Sequence, residues 1–166
     1  EQPVMVKSTL GKGSMLCVKV PLGKLTTVSS ANDPFNFTLP SAVLTNREVW
    51  LIDNDAAVCA GMSQLLEGWG CKLTTATSLQ NLREKVDIIN DHADMLIVDY
   101  HLDNSVNGLN VAKEINNLRQ QTLPVMMITA NYSKQLKNEV TNSDILLLNK
   151  PVKPMKLKTS MLYLLN

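Results

Sequence analysis

From Arg47 onward, short apolar runs alternate with segments of helical period, and this alternation restricts the fold more than any other feature of the chain. The runs are Val49-Trp50-Leu51-Ile52, Cys71-Lys72-Leu73, Met95-Leu96-Ile97-Val98, Val125-Met126-Met127-Ile128 and Ile145-Leu146-Leu147-Leu148. Four of the five are apolar throughout, as strands buried on both faces of a parallel sheet must be. Between them, Val58, Met62, Leu65, Leu66 and Trp69 share one helical face, as do Leu79, Leu82, Val86 and Ile89 behind a Ser78 N-cap. A third helix carries Val111, Ile115 and Leu118, a last one Leu157, Met161 and Leu164, and a weak stripe of Leu136 and Val140 marks another over Tyr132–Thr141. Five strands alternating with five helices predict an α/β fold, a doubly wound parallel sheet, since each crossover is right-handed and covers a sheet face.

The first 46 residues are of another kind. Residues 24–46 read as a linker, because Ser, Thr, Asn and Pro offer the backbone local alternatives to regular structure; Phe35 and Phe37 are its exceptions, suited to docking on a surface. Before it, Met15-Leu16-Cys17-Val18-Lys19-Val20 predicts one short strand after a Gly11-Lys12-Gly13-Ser14 turn, too little for a domain. The start Glu1-Gln2-Pro3 resembles neither an initiator nor a signal peptide, so the chain is expected to be a piece of something longer.

Lys plus Arg (16) against Asp plus Glu (15) leaves a net charge of +1. That removes the electrostatic motive for binding nucleic acid or an anionic membrane. No apolar run approaches a membrane span, and three cysteines without metal-ligand pairing suit a reducing cytoplasm.

In doubly wound sheets ligands bind beyond the carboxyl ends of the strands. Asp53-Asn54-Asp55 follows the first run, Asp99 the third, Thr129 the fourth, and Asn149 then Lys150-Pro151 the fifth. A lone Asp at a strand end is ordinarily a helix cap or turn former; agreement at four strand ends calls for a common site. Carboxylates held together repel unless a cation neutralises them, and Mg²⁺ suits one or two carboxylates plus a phosphate. A lysine and a threonine hydroxyl can hold phosphoryl oxygens, whose transfer depends on positioning and charge neutralisation. Asp99, at the end of the central run, is the natural nucleophile, forming an acyl phosphate; its loop runs from Tyr100 to Asn107 and is closed by Gly108.

The ordered set Asp53/Asp55, Asp99, Thr129-Ala130 and Lys150-Pro151, with Gly108 after the aspartate loop, resembles the receiver domain of two-component signalling over about residues 47–166. The resemblance implies a flavodoxin-like fold of strand order 2-1-3-4-5, with Asp99 as phosphoacceptor. It implies Mg²⁺ held by Asp53, Asn54, Asp55, Asp99 and the backbone carbonyl of His101, with Thr129 and Lys150 contacting the phosphoryl group. It also implies a cis Lys150-Pro151 bond, and a histidine kinase or histidine phosphotransfer protein as partner. Two positions depart from the pattern: Asn54 stands where a second acid is usual, and Leu147 where an aromatic switch residue often lies three before the lysine. Tyr132 is a weak substitute for the latter.

The segment Gly11-Lys12-Gly13-Ser14, a strand and Pro21-Leu22-Gly23 looks like the end of a histidine kinase ATP-binding domain. The whole then resembles the tail of a hybrid sensor kinase: residues 1–23 the ATP-binding remnant, 24–46 linker, 47–166 receiver. The remnant lacks the boxes needed to bind ATP, and any homodimer would form through the parent kinase. His92 and His101 read as surface residues. Two other classes compete. A haloacid-dehalogenase-like phosphohydrolase would use Asp53-Asn54-Asp55, Thr129 and Lys150, but nothing acidic follows Lys150 and Asp99 would have no part. A pseudo-receiver would dock a partner without being phosphorylated.

Overall fold

The structure, a computed structural model, describes residues 4–9, 11, 13–18, 43–102, 106–130, 136, 139–140 and 145–166. The chain divides into two units between Phe37 and Thr38.

In the first unit, β1 (Val4–Thr9) and β2 (Gly13–Val18) form an antiparallel hairpin, Val4 opposite Val18 and Thr9 opposite Gly13. Gly11 and Gly13 have φ of 75° and 100°, which a side chain would resist, and the Ser8 and Ser14 hydroxyls meet at 2.7 Å. One strand was expected here and two are present. The missed signal is Val4-Met5-Val6, a β-prone run on the other side of the same glycine turn. Its apolar side chains, among them Val4, Met5, Val6 and Leu16, are exposed. The expected linker lies outside the described residues up to position 42, Phe35 and Phe37 included; at its end Leu44 is fully buried and belongs to the core of the second unit.

That unit is a five-stranded parallel sheet of β3 (Glu48–Ile52), β4 (Lys72–Ala76), β5 (Met95–Asp99), β6 (Val125–Thr129) and β7 (Ile145–Asn149). Its order is β4-β3-β5-β6-β7, or 2-1-3-4-5 counted within the sheet. Strand periodicity splits the core in two. Val49, Leu51, Met95, Ile97, Met126 and Ile128 face one side, with α1 (Ala56–Glu67) and α4 (Pro154–Leu164). Trp50, Ile52, Leu96, Val98, Val125 and Met127 face the other, with α2 (Leu79–Arg83) and α3 (Gly108–Leu118). Central strands β5 and β6 are buried at every residue, which is why their sequences show no alternation.

Four helices rather than five are complete among the described residues. Of the segment expected as the fifth, Leu136, Glu139 and Val140 are described and helical, and Leu136 and Val140 are buried against the α3 side of the sheet; Tyr132 lies outside the described residues. Ser78 caps α2 as expected, accepting the Asn81 N–H, yet the helix stops at Arg83 and leaves Ile89 exposed. The reason is local: Asp87 Oδ1 accepts the N–H groups of Ile89 and Asn90, a turn that competes with helix. Leu118, on the α3 stripe, is also exposed. No helix among the described residues is long and apolar enough to cross a membrane, and the three cysteines are free thiols.

Asp94 ties β5 to the start of β3, two of the strands that carry the site. Asp94, just before β5, accepts the Glu48 N–H through Oδ2 and Arg47 Nη1 through Oδ1, both at 2.7 Å, while its own N–H donates to the Glu48 carbonyl. Burial works to raise the Asp94 pKa; the Glu48 N–H, the Arg47 hydrogen bond and charge, and His92 outweigh it and hold the carboxyl below its usual value. A carboxyl held low stabilises the fold above its unfolded value of about 3.9, and that contribution is lost as pH falls through the folded value. Asp94→Asn is therefore expected to destabilise by about 1–2 kcal/mol at pH 7, with the gap to wild type closing below about pH 4. Urea midpoints across that pH range check this, and a gap independent of pH would refute it.

Candidate functional site

Parallel register carries the strand ends to one line. Ile52 pairs with Val98, so the next residues, Asp53 and Asp99, emerge side by side; Asp99 pairs with Ile128, and Thr129 with Asn149, placing Thr129 and Lys150 beside them. Asp53 is 2% exposed, Asp99 5% and Thr129 0%; they are the buried polar or charged residues among those described. Buried carboxylates this close need a compensating charge. Lys150 supplies it: its Nζ lies 3.1 Å from Asp53 Oδ2 and 2.9 Å from Asp99 Oδ1. Burial alone would lower the lysine pKa, but the hydrogen bonds to Asp99 and Asp53 and their charges more than offset it, so the net shift is upward. The contribution of this contact to stability is thus complete below the unfolded lysine value of about 10.4 and fades only as pH rises through the higher folded value.

The loop after β3 is tied down from several directions. The Asp55 N–H donates to Asp53 Oδ1 at 3.0 Å, and the Asp53 N–H to the Ala76 carbonyl at 3.1 Å. Asp55 Oδ1 caps α1, accepting the N–H groups of Ala57 (2.8 Å) and Val58 (3.4 Å). Sequence reasoning missed Cys59, whose buried thiol donates to the Asp53 carbonyl at 3.3 Å and whose pKa burial pushes up, away from reactivity. Nothing in the sequence distinguished it from an ordinary core residue.

After β5 the backbone turns at Tyr100, whose N–H donates to the Ile128 carbonyl (2.8 Å) and whose carbonyl accepts the Gly108 N–H (2.9 Å). Gly108 starts α3 so close beneath the strand that a β-carbon there would run into the Asp99 carbonyl. His101 is exposed and bridges Asn107; His92 is exposed and pairs with Asp94. Leu147 is half-buried against the core, and the Lys150-Pro151 bond is cis.

The description "response regulator receiver domain" matches residues 49–162. The chain belongs to the receiver family. That membership sets aside the phosphohydrolase alternative, in which Asp99 had no part. No curated protein matches the receiver. Among solved structures it is similar to a two-component response regulator from Clostridium difficile, with 22% identity and a TM-score of 0.64 over 72% of this chain and 96% of the other. A chemotaxis protein, CheY4, from Vibrio cholerae is 20% identical with a TM-score of 0.63 over 72% and 99% of the two chains. A response regulator from Burkholderia pseudomallei, solved with a phosphorylated aspartic acid, a calcium ion and citrate, is 19% identical with a TM-score of 0.59 over 73% and 67%. At these identities the likeness is one of fold.

Of the residues expected to gather, Asp53, Asp99 and Lys150 are in direct contact, with Thr129 one register step away. Asp55 is exposed and engaged as a helix cap, and Asn54 is half-buried between the two aspartates of its loop. Among the described residues no group of three or more His, Cys, Asp or Glu is placed to hold a metal. Two buried carboxylates, with an amide beside them, are the donor set that remains. It fits a hard divalent cation that keeps several waters and completes its shell with phosphate.

Proposed function

We propose that this receiver accepts a phosphoryl group from a phosphohistidine onto Asp99 and changes conformation in response. The observation that carries the reading is the Lys150 ammonium bound to both Asp53 and Asp99 at the carboxyl edge of the sheet. The P–N bond of the donor breaks as an Asp99 carboxylate oxygen forms the new P–O bond, and the imidazole leaves with the electron pair and takes a proton from solvent. A carboxylate nucleophile has no proton to give up to a base, and Lys150, 2.9 Å from Asp99 Oδ1, stays within reach of the oxygens that gain charge. Asp53, Asn54, Asp99 and the His101 carbonyl would hold Mg²⁺, which when bound neutralises phosphoryl oxygens; Asp55 acts through the α1 cap and the orientation of Asp53. Support for a charged acceptor comes also from the Burkholderia relative of the same fold, which carries phosphorylated aspartic acid and calcium.

The phosphoryl group, which carries about −1.5 to −2 charge in the usual phosphoresidues, is the switch. Thr129 lies at the end of β6, so a bond from its hydroxyl to the phosphoryl group shifts the loop toward residue 136. The donor is a histidine kinase or phosphotransfer protein, in a reducing cytoplasm. The hairpin of β1 and β2, with its glycine turn, is the remnant of a kinase ATP-binding domain, making the parent a hybrid kinase.

The test is mass measurement after exposure to acetyl phosphate with Mg²⁺. One base-labile phosphoryl group is expected, absent in Asp99→Asn; Thr129→Ala is expected to take the group and lose the accompanying conformational change. A chain that stays unmodified under these conditions is a pseudo-receiver, and the reading fails.

A further inference from the structure

We propose that Tyr100 and Asn107 form a clasp that positions the aspartate loop and sets how tightly the site takes its divalent cation. The inference rests on the reading of Asp99 and the His101 carbonyl given above.

Tyr100 follows the phosphoacceptor and turns away from it, its ring packed on the core of the α3 side. Eight residues of chain separate Asp99 from Gly108, and the last of them is Asn107. The Asn107 side chain does two things at once. Its Oδ1 accepts the Leu109 N–H at 2.7 Å, capping α3, and its Nδ2 donates to the Tyr100 hydroxyl at 3.1 Å. The first bond fixes which end of the amide is oxygen, and so makes the second a donation from nitrogen.

Capping alone does not require asparagine, since serine or aspartate serves as well. The bond to Tyr100 does require reach and a second polar atom. It closes the loop across its neck: His101 and Asn107 are bridged, and the His101 ring meets the Tyr100 ring edge-on at 4.7 Å. The main chain of residue 101 is thereby held between a ring anchored in the core and a helix cap. Tyr100 and Asn107 touch no reacting atom; they are positioning residues, and their effect passes through the backbone at 101.

Mg²⁺ binding to the full chain, by titration calorimetry, tests this alongside acetyl phosphate uptake. Tyr100→Phe keeps the ring and Asn107→Ser keeps the cap, and each is expected to weaken Mg²⁺ binding about fivefold, the worth of one half-buried hydrogen bond. Uptake should slow at low Mg²⁺ and recover at saturating Mg²⁺. Asn107→Asp, whose carboxylate caps α3 and accepts the phenol proton, is expected to bind at least as tightly as wild type. The double variant should be no worse than either single one, because one contact is lost in all three. Singles that bind like wild type, additive losses, or a rate defect that persists at saturating Mg²⁺ would overturn the clasp. Absence of phosphoryl uptake by the wild type would instead remove the functional reading, and the clasp with it.

Discussion

Replacing Gly108 by alanine is expected to lower the unfolding midpoint by about 10–20 °C, the equivalent of roughly 3–5 kcal/mol in a domain of this size. The added β-carbon would occupy space held by the Asp99 carbonyl, with the Tyr100 backbone also within contact distance. Neither neighbour is the end of a flexible side chain that could swing aside. Relief has to come from moving α3 off β5, which strains the Gly108 N–H bond to Tyr100 and the Asn107 cap. Gly61 is the control: it lies exposed within α1 with nothing near its prospective β-carbon. Gly61→Ala is therefore expected to stabilise by about 0.5–1 kcal/mol, the usual gain in a helix interior. Thermal unfolding of both variants decides the matter, and equal midpoints would mean that α3 does not approach β5 so closely.

The sheet and its strand ends were legible because burial leaves little choice of residue. A central parallel strand covered on both sides must be apolar at consecutive positions, and β3, β5 and β6 are. Asp53, Asp99 and Thr129 stood out because each ends such a run at the carboxyl edge of the sheet, with Lys150 following Asn149 at the end of the last strand. What the sequence concealed were features fixed by competition between local hydrogen bonds. The stripe Leu79-Leu82-Val86-Ile89 has helical spacing, but the Asp87 carboxylate offers the backbone a turn, and α2 ends early. Asp55 shows the same ambiguity, since one residue type serves both as metal ligand and as N-cap, and only the placement of Ala57 and Val58 reveals the second role. Asn107 and Cys59 were invisible for a different reason: what sets each apart is a pair of directed hydrogen bonds, with no periodic or compositional trace.

Lys150→Met is the substitution expected to disturb the site itself most. Methionine keeps much of the apolar stem and removes the charge, leaving Asp53 and Asp99 facing each other without the ammonium between them. Breaking a buried ion pair typically costs about 3–5 kcal/mol, and because the Lys150 side chain is 32% exposed the expected loss here is smaller, about 2–3 kcal/mol in metal-free buffer. The same geometry makes ammonium and divalent cation alternatives for neutralising the two carboxylates. Added Mg²⁺ is therefore expected to raise the midpoint of the variant more than that of wild type, by linkage to a site that no longer holds a competing cation. Phosphoryl uptake should not recover in parallel. With Lys150 gone, the oxygens gaining charge at Asp99 lose a preorganised partner, and a fall of about 10²-fold in rate is expected even at saturating Mg²⁺. Stability that returns while the rate does not would separate the two duties of this lysine; a variant as stable as wild type without metal would show that the carboxylates do not share it.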